Sequence, residues 1–192
     1  MGRPSMAAER TEQIMQATAR CLQKNGLAGT TLERVSEESG LSRSHVRHYV
    51  GNRDDLLRKF ADWLYTGYRA EFIGRIAAAE SREKLPIAMD YLFSSGFLPI
   101  SDDDTVIREL ITAGITDERI RSIMQTQYLR AVAAIDEALA AEYPDAPATK
   151  RRSAAYGLWC LALGNSTMAE LQLPVANGGL VRTAAETILA QL

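Results

Sequence analysis

Histidine and cysteine are scarce in this chain, which has two of each among 192 residues. Cys21 and Cys160 fall within apolar, helix-like segments and show no metal-ligand spacing. We expect two buried thiols in a reducing compartment. His45 and His48 both lie in one short basic stretch, so a histidine-based catalytic triad elsewhere in the chain is excluded.

Long apolar runs are also lacking. Nothing approaches the roughly 18 apolar residues that a membrane-spanning helix needs. The first ten residues lack the apolar core of a signal peptide, and Met6 stands where a myristoylation motif needs Ser or Thr. These absences predict a cytoplasmic protein.

Runs of alternating or β-branched residues, typical of strands, do not occur. Apolar residues recur at helical spacing instead, and about nine helices account for most of the chain. The sequence predicts an all-α fold with two domains. Residues 1–52 are predicted to form a three-helix domain, and residues 53–192 a larger helical bundle.

The net charge of −2 is unevenly distributed. Residues 1–53 hold eight Lys and Arg and five Asp and Glu, a net charge of +3. Residues 54–192 hold fourteen and nineteen, a net charge of −5. A basic amino-terminal part on an acidic body indicates a polyanionic partner for the former only.

The first 40 residues contain several residues that are typical of helix starts and helix ends. The first helix is predicted over residues 7–25, with Gly26 as its stop. Thr30 is predicted to cap the second helix, and Glu33 completes a capping box. Gly40 ends that helix after about two turns.

The third helix is short and predicted to be amphipathic. Ser42 caps it, and Val46 and Val50 form an inward i, i+4 pair. Its basic and polar residues then face outward. Asn52 is predicted to cap the fourth helix.

The segment SGLS at 39–42 joins two short helices, as in a helix-turn-helix. The wider stretch, residues 10–57, resembles the TetR family of bacterial transcriptional repressors. The positions in the family's register are Ile14, Ala17, Leu22, Gly26, Thr30, Thr31, Val35, residues 39–42 and 48–50, Arg53, Leu56 and Leu57.

Five positions depart from the family pattern. Ser44 and His45 replace small Gly and Thr, Arg47 replaces Tyr, Val50 replaces Phe and Arg53 replaces Lys. These departures bear on the operator sequence and leave the predicted fold unchanged.

The resemblance implies that the third helix enters the DNA major groove, which admits an α-helix. Thr31, Tyr49 and Arg53 are expected to contact phosphates, which set register rather than sequence preference. The expected DNA-binding residues are Thr31, Ser42, Arg43, Ser44, His45, Arg47, His48, Tyr49 and Arg53.

Other interpretations of the basic helix remain. An exposed basic face is often only solvated surface, and a helical interaction module that does not bind DNA is the alternative function. His45 and His48 can share a metal ion, but no acid or thiol lies nearby in sequence to complete a site. No nucleophile elbow, Gly-rich phosphate loop or metal-spaced cluster indicates an enzyme, and we expect no cofactor.

The remaining helices are predicted from periodicity and caps. The fourth helix is predicted over 53–79 and the fifth over 84–95. The sixth starts after Ser101 and is broken at Gly114, and the seventh is capped by Thr116 and ends near Glu142. The eighth is predicted over 149–171, and the ninth closes the chain.

The resemblance also implies that residues 1–52 are the DNA-binding domain, and that residues 53–192 bind a small-molecule effector and form a homodimer. In the family the last two helices form a four-helix interface, here with Leu158, Ala162, Ala169, Leu180, Ala184 and Ile188 as candidates. Effector binding is expected to move the fourth helix and release the operator. Candidate pocket residues are Trp63, Tyr91, Phe93, Tyr128, Trp159 and Asn165.

The segment AAYGLWCLALGNS loosely resembles the choline-sensing BetI branch of the family. Aromatic rings beside a carboxylate suit a quaternary ammonium ion through cation–π attraction. Asp90 and Asp136 are the candidate carboxylates.

Overall fold

Nine α-helices account for most of the residues that the computed structural model describes, which are 6–94, 97, 102–173 and 178–192. The side chains of 65–71, 102–105 and 178 lie outside this description. The helices are α1 Met6–Gly29, α2 Leu32–Ser39, α3 Arg43–Val50, α4 Arg53–Ala78, α5 Ser81–Phe93, α6 Asp102–Thr116, α7 Glu118–Glu142, α8 Ala148–Glu170 and α9 Gly178–Leu189.

The prediction of an all-α fold is confirmed, since no strand occurs in the described ranges. None of the helices within those ranges has the length and apolarity needed to cross a bilayer. The expected cap Ser101 lies outside the described residues.

Two compact units divide the chain. One comprises Met1–Gly67 and Ser101–Gln125, and the other Tyr68–Ile100 and Thr126–Leu192. Helix α6 therefore belongs to the same unit as α1, α2 and α3. The functional division at residue 52 concerns which part binds DNA, and it stays a prediction.

The first helix is broken at the predicted glycine, but it continues to Gly29 rather than ending there. Gly26 has φ 63° and ψ −178°, which breaks α1 before a last short turn to Gly29. A left-handed φ of this kind favours glycine. Ile14, Ala17 and Leu22 are each 0% exposed and form the inner face of the helix.

The predicted cap of α2 is wrong by one residue. Thr31 is the N-cap, and its hydroxyl accepts from the Arg34 amide at 3.2 Å. Thr30 is buried and instead donates its hydroxyl to the Gly26 carbonyl. The predicted Thr30–Glu33 capping box is therefore absent, because burial places Thr30 in the turn before the helix.

Helices α2 and α3 form the predicted helix-turn-helix. Gly40 adopts φ 68° and ends α2, and the Ser42 hydroxyl accepts from the His45 amide at 3.3 Å to cap α3. Val46 and Val50 are both 0% exposed. Burial of this apolar pair leaves the rest of the short helix free to face solvent.

The turn between α6 and α7 differs from its prediction. Gly114 lies inside α6 rather than breaking it, and a Cβ there would sit 3.2 Å from the Met124 sulfur. Glycine thus permits a close approach of α7. Asp117, not Thr116, caps α7, because its carboxylate accepts from the Arg119 amide at 2.9 Å. Thr116 instead donates its hydroxyl to a carbonyl of α6.

The second unit has one apolar core. It contains the large buried side chains of Phe72, Ile76, Leu92 and Ile135 together with Trp159, which is 3% exposed.

The two cysteines differ in exposure. Cys21 is buried, and burial raises the pKa of its thiol. Cys160 is exposed, so the prediction of two buried thiols is wrong for this residue.

Candidate nucleic-acid interface and ligand site

The outward face of α3 is a continuous row of hydrogen-bond donors. Its five side chains are all exposed, while Val46 and Val50 on the opposite face are fully buried. The amphipathic spacing of the sequence produces this separation. The five are Arg43, Ser44, His45, Arg47 and His48.

Three of the predicted residues, Ser42, Arg43 and Ser44, have local partners in the free chain. The Ser42 hydroxyl caps α3 and lies 3.0 Å from that of Ser44. Arg43 lies 3.8 Å from the Glu33 carboxylate, and these side chains are 65% and 69% exposed. Exposed pairs of this kind contribute little, so a phosphate can replace Glu33 at low cost.

The carboxyl end of α3 is tied to α4. Lys59 donates its ammonium to the Tyr49 carbonyl at 2.8 Å. The Tyr49 ring is half-buried and meets the His48 ring edge-on at 5.1 Å. A cation at a helix carboxyl terminus also stabilises the helix dipole. Lys59 was not among the predicted residues, although the sequence shows this basic residue ten positions after Tyr49.

Arg53 holds the turn between α1 and α2. Its Nε donates to the Thr30 carbonyl at 2.8 Å, and its Nη2 donates to the Leu27 carbonyl at 2.6 Å. Thr31, the other predicted phosphate contact on this side, is the half-buried cap of α2. Contact of Arg53 or Thr31 with phosphate stays a prediction, and fewer donors of Arg53 are available for it.

An acidic residue far away in sequence supports the same turn. Glu109 on α6 accepts from the Leu27 amide at 2.8 Å. Arg34 donates to the Gly29 carbonyl at 2.9 Å. Neither residue was predicted. For Glu109 the 82-residue separation leaves no periodic signal that identifies its partner.

Aromatic rings meet in the second unit. Tyr91 stacks on Phe72 with centroids 4.0 Å apart and an interplanar angle of 13°. Phe97 meets Tyr91 at 5.5 Å and Trp159 at 5.8 Å, and Tyr128 lies 5.8 Å from Trp159. We call these five residues the aromatic cluster.

The six predicted pocket residues do not all join this cluster. Tyr91, Tyr128 and Trp159 do. Phe93 is 4% exposed within the core, and Asn165 is half-buried on α8. Trp63 belongs to the first unit, where its indole N–H donates to Glu12 at 2.7 Å.

The two candidate carboxylates are already paired with arginines. Asp90 is 68% exposed and accepts from Arg182 at 2.8 Å, a hydrogen bond that raises the pKa of Arg182. Asp136 lies 3.8 Å from Arg151 and 3.9 Å from Arg152. These ion pairs oppose the expectation that either carboxylate serves a bound cation.

A cavity of about 360 Å³ lies between α8 and α9. It is lined by Lys150, Ser153 and Gln191 and by apolar atoms that include Ile188. None of the predicted pocket residues lines it. Its size falls within the range of small-molecule sites.

The six predicted dimer residues differ in how far they are exposed to solvent. Leu158 and Ala162 are 0% and 1% exposed, so they pack inside one chain and cannot directly meet a second copy. Leu180 is 60% exposed and Ala184 is also exposed. Ala169 and Ile188 are half-buried.

Other apolar side chains on α8 and after it are exposed. Tyr156 is 64% exposed, and its hydrogen bond with Cys160 raises the pKa of the phenol. Five of the nine exposed large hydrophobic side chains in the described residues fall between 156 and 180. Such clustering is typical of interaction surfaces.

No group of three or more metal-ligating side chains occurs within the described parts of the chain. His45 and His48 therefore have no third ligand there. The exposed row on α3 offers donors suited to phosphates and base edges instead.

Residues 14–60 match the family model described as "Bacterial regulatory proteins, tetR family". The match covers the helix-turn-helix and the first turns of α4. It includes the exposed row on α3 and Arg53.

Curated relatives are similar over the same end of the chain. The HTH-type transcriptional regulator BetI of Paraburkholderia xenovorans is 34% identical over 91 residues, covering 44% of this chain and 45% of the relative. BetI of Burkholderia thailandensis is 39% identical over 57 residues, covering 30% and 29%. The chain spans less than half the length of these relatives.

Solved structures share the whole fold. A TetR transcription regulator from Haloarcula marismortui gives a TM-score of 0.81 at 21% identity, over 96% of this chain and 98% of that one. A putative transcriptional regulator from Saccharomonospora viridis in complex with choline gives 0.76 at 16% identity, over 95% and 96%. At these identities the likeness establishes the fold alone.

Proposed function

We propose that the chain is, through its amino-terminal helix-turn-helix, a member of the tetR family of bacterial regulatory proteins, whose model residues 14–60 match, and that it regulates transcription by binding a specific DNA sequence. The observation that carries this proposal is the exposed row of donors on α3. An α-helix fits the major groove, where Arg pairs bidentately with guanine. Arg43 and Arg47 supply that geometry, and Ser44, His45 and His48 supply further donors.

The regulator acts as a homodimer on a palindromic operator. A single α3 reads only a few base pairs, and two copies reach half-sites about 34–36 Å apart. The exposed apolar side chains of α8 and α9 support this assembly, with Leu180 and Ala184 at the interface and Tyr156 added to it.

Repression relieved by a small molecule is the proposed mode of control. The effector site is the aromatic cluster, formed by rings from α4, α5, α7 and α8 with Phe97 between α5 and α6. Its effector would bind the free state better than the operator-bound state and so shift the population.

A quaternary ammonium compound is the first effector to test. The solved neighbour in complex with choline and the BetI relatives support this choice. Aromatic faces attract such a cation through their quadrupoles. Because Asp90 and Asp136 are paired with arginines, the rings rather than a carboxylate would have to provide the attraction.

The proposal carries two further expectations. A regulator of chromosomal genes works in the cytoplasm, where the DNA is. It needs no catalytic residues and no cofactor, because its output is occupancy of an operator.

The test is selection of bound sequences from a random DNA duplex pool with the purified full chain. We expect a palindromic motif to be recovered at a stated salt concentration. Recovery of no motif, with affinity that vanishes as salt rises, would leave only nonspecific charge attraction. The chain would then be a helical interaction module instead.

A further inference from the structure

The turn that follows the break in α1, residues 26–30, is held from two sides within the first unit. On one side Glu109 of α6 accepts from the Leu27 amide at 2.8 Å. On the other side Arg53, the first residue of α4, donates to the Leu27 and Thr30 carbonyls at 2.6 and 2.8 Å. Charged side chains thus bind both the amide and the carbonyl of Leu27.

The break at Gly26 explains why the turn needs an outside acceptor. The non-helical backbone there interrupts the α-helical ladder, so the Leu27 amide begins a new turn. The first amides of a helical turn have no partner within it. The carboxylate of Glu109 supplies one, and hydrogen bonds to a charged acceptor are stronger than neutral ones.

Gly26 lies directly beside the Glu109 carboxylate. A Cβ at that position would lie 3.7 and 3.8 Å from the two carboxylate oxygens of Glu109. These are ordinary van der Waals distances, so a Cβ would not displace Glu109, and what Gly26 provides is the backbone break. Its left-handed φ of 63° strains any other residue.

We propose that Glu109 is a positioning residue for operator binding, an inference that rests on the proposed function. It fixes the turn from which Thr31 starts α2, and α2 leads directly through Gly40 to the recognition helix α3. Displacement of α6 from the turn removes this bond, which gives α6 a direct means of changing DNA affinity.

Electrostatics and positioning predict opposite signs for loss of Glu109. Removing a negative charge from a DNA-binding unit strengthens its attraction to phosphates. Removing the acceptor of the Leu27 amide loosens the turn and weakens specific binding. The direction of the change in operator affinity therefore separates the two effects.

The experiment measures operator affinity, its dependence on salt and hydrogen exchange of the Leu27 amide. Glu109→Ala should weaken specific binding about tenfold, the equivalent of one charged hydrogen bond. The salt slope should stay unchanged, because Glu109 contacts no phosphate. Exchange of the Leu27 amide should accelerate. Glu109→Gln keeps an acceptor and should recover most of the affinity.

Glu118→Ala is the matched control, since it removes an exposed carboxylate from the same unit. It should leave affinity unchanged or slightly raised. If Glu109→Ala fails to fold, Glu109→Asp keeps the charge, shortens the side chain and should also weaken binding.

Two results are decisive. Wild-type affinity in the folded Glu109→Ala variant, with an operator complex formed by the wild type, would overturn the positioning role alone. A wild-type chain that selects no DNA sequence would overturn the proposed function and the positioning role together.

Discussion

Asn52 and Asp55 cap each other at the junction of α3 and α4. The Asp55 amide donates to the Asn52 side-chain oxygen at 2.9 Å, and the Asn52 amide donates to the Asp55 carboxylate at 3.2 Å. The same carboxylate lies 3.0 Å from Arg58. This reciprocal pair orders the start of α4 directly after the end of α3.

Loss of the Asn52 cap should destabilise the chain. Asn52→Ala leaves the Asp55 amide without its acceptor and should lower the free energy of unfolding by about 1 kcal/mol. Urea denaturation measures the change. Asn52→Asp retains an acceptor and serves as control. Equal stability of the alanine variant and the wild type would show that the cap contributes nothing.

The basic row on α3 should determine DNA affinity. Arg47→Ala should weaken operator binding by about tenfold or more, and should reduce the salt slope by about 1 if the side chain contacts a phosphate. Fluorescence anisotropy at several salt concentrations measures both quantities. Arg75→Ala, at an exposed arginine near the end of α4, changes the charge equally and should have no effect. The same loss in both variants would indicate a general charge effect.

Local signals in the sequence were sufficient for the helices and most of their ends. Gly40, Ser42 and Asn52 act as predicted, and Gly26 breaks the first helix three residues before its end, because caps and left-handed glycines depend on neighbouring residues. The failures arise where packing decides. Thr30 is drawn into the interior, and Gly114 accommodates a neighbouring helix instead of ending its own.

The pairs that support the helix-turn-helix were beyond prediction from one sequence. Glu109 and Leu27 are 82 residues apart, so only tertiary structure brings them together. Arg53 was visible as a basic residue at the right place in the family register. Its two hydrogen bonds to backbone carbonyls could not be predicted, because the sequence around an arginine does not show which carbonyls it will reach.

Acid should weaken the contact between α1 and α2. Hydrogen bonds from Lys24 and Arg20 lower the pKa of Glu38, which lies 2.9 and 2.7 Å from them. A lowered folded-state pKa stabilises the chain above the ordinary glutamate pKa of about 4.3, and that contribution is lost as pH falls through the folded-state value.

Thermal unfolding of Glu38→Gln against the wild type tests this contact. The variant should be less stable at pH 7, and the difference should shrink as pH falls below about 4. Glu37→Gln, at an exposed position on the same helix, should show a smaller difference at pH 7. A Glu38 difference that is constant with pH would exclude the ion pairs as its source.

Choline binding should depend on the stacked rings. Tyr91→Leu removes the partner of Phe72 and should weaken choline binding about threefold to thirtyfold, given cation–π energies of about 0.5–2 kcal/mol. Calorimetry with the wild type and the variant measures the change. Tyr143→Leu, at a half-buried ring on the same core, is the protein control.

The matched ligand is the neutral isostere of choline in which carbon replaces nitrogen. It fills the same volume without the charge, so it should bind more weakly to the wild type and lose less affinity in Tyr91→Leu. Equal binding of both ligands would show that apolar contact rather than cation–π attraction drives recognition.

The face of α8 and α9 should hold two copies together. Leu180 is 60% exposed within one chain, and burial of its side chain in a dimer would remove apolar area from water. Leu180→Asp places a charge there, and a desolvated, unpaired charge opposes association strongly. The variant should shift from dimer to monomer by sedimentation equilibrium at micromolar concentration.

Leu129→Asp is the matched control, because Leu129 is 69% exposed on α7 and the same change should leave the dimer intact. If both variants stay dimeric, the interface lies elsewhere. If both become monomeric, the substitution acts through the fold rather than through this face. A Leu180→Asp monomer that also loses operator affinity, while retaining the helical content of the wild type, would tie half-site spacing to this pair of helices.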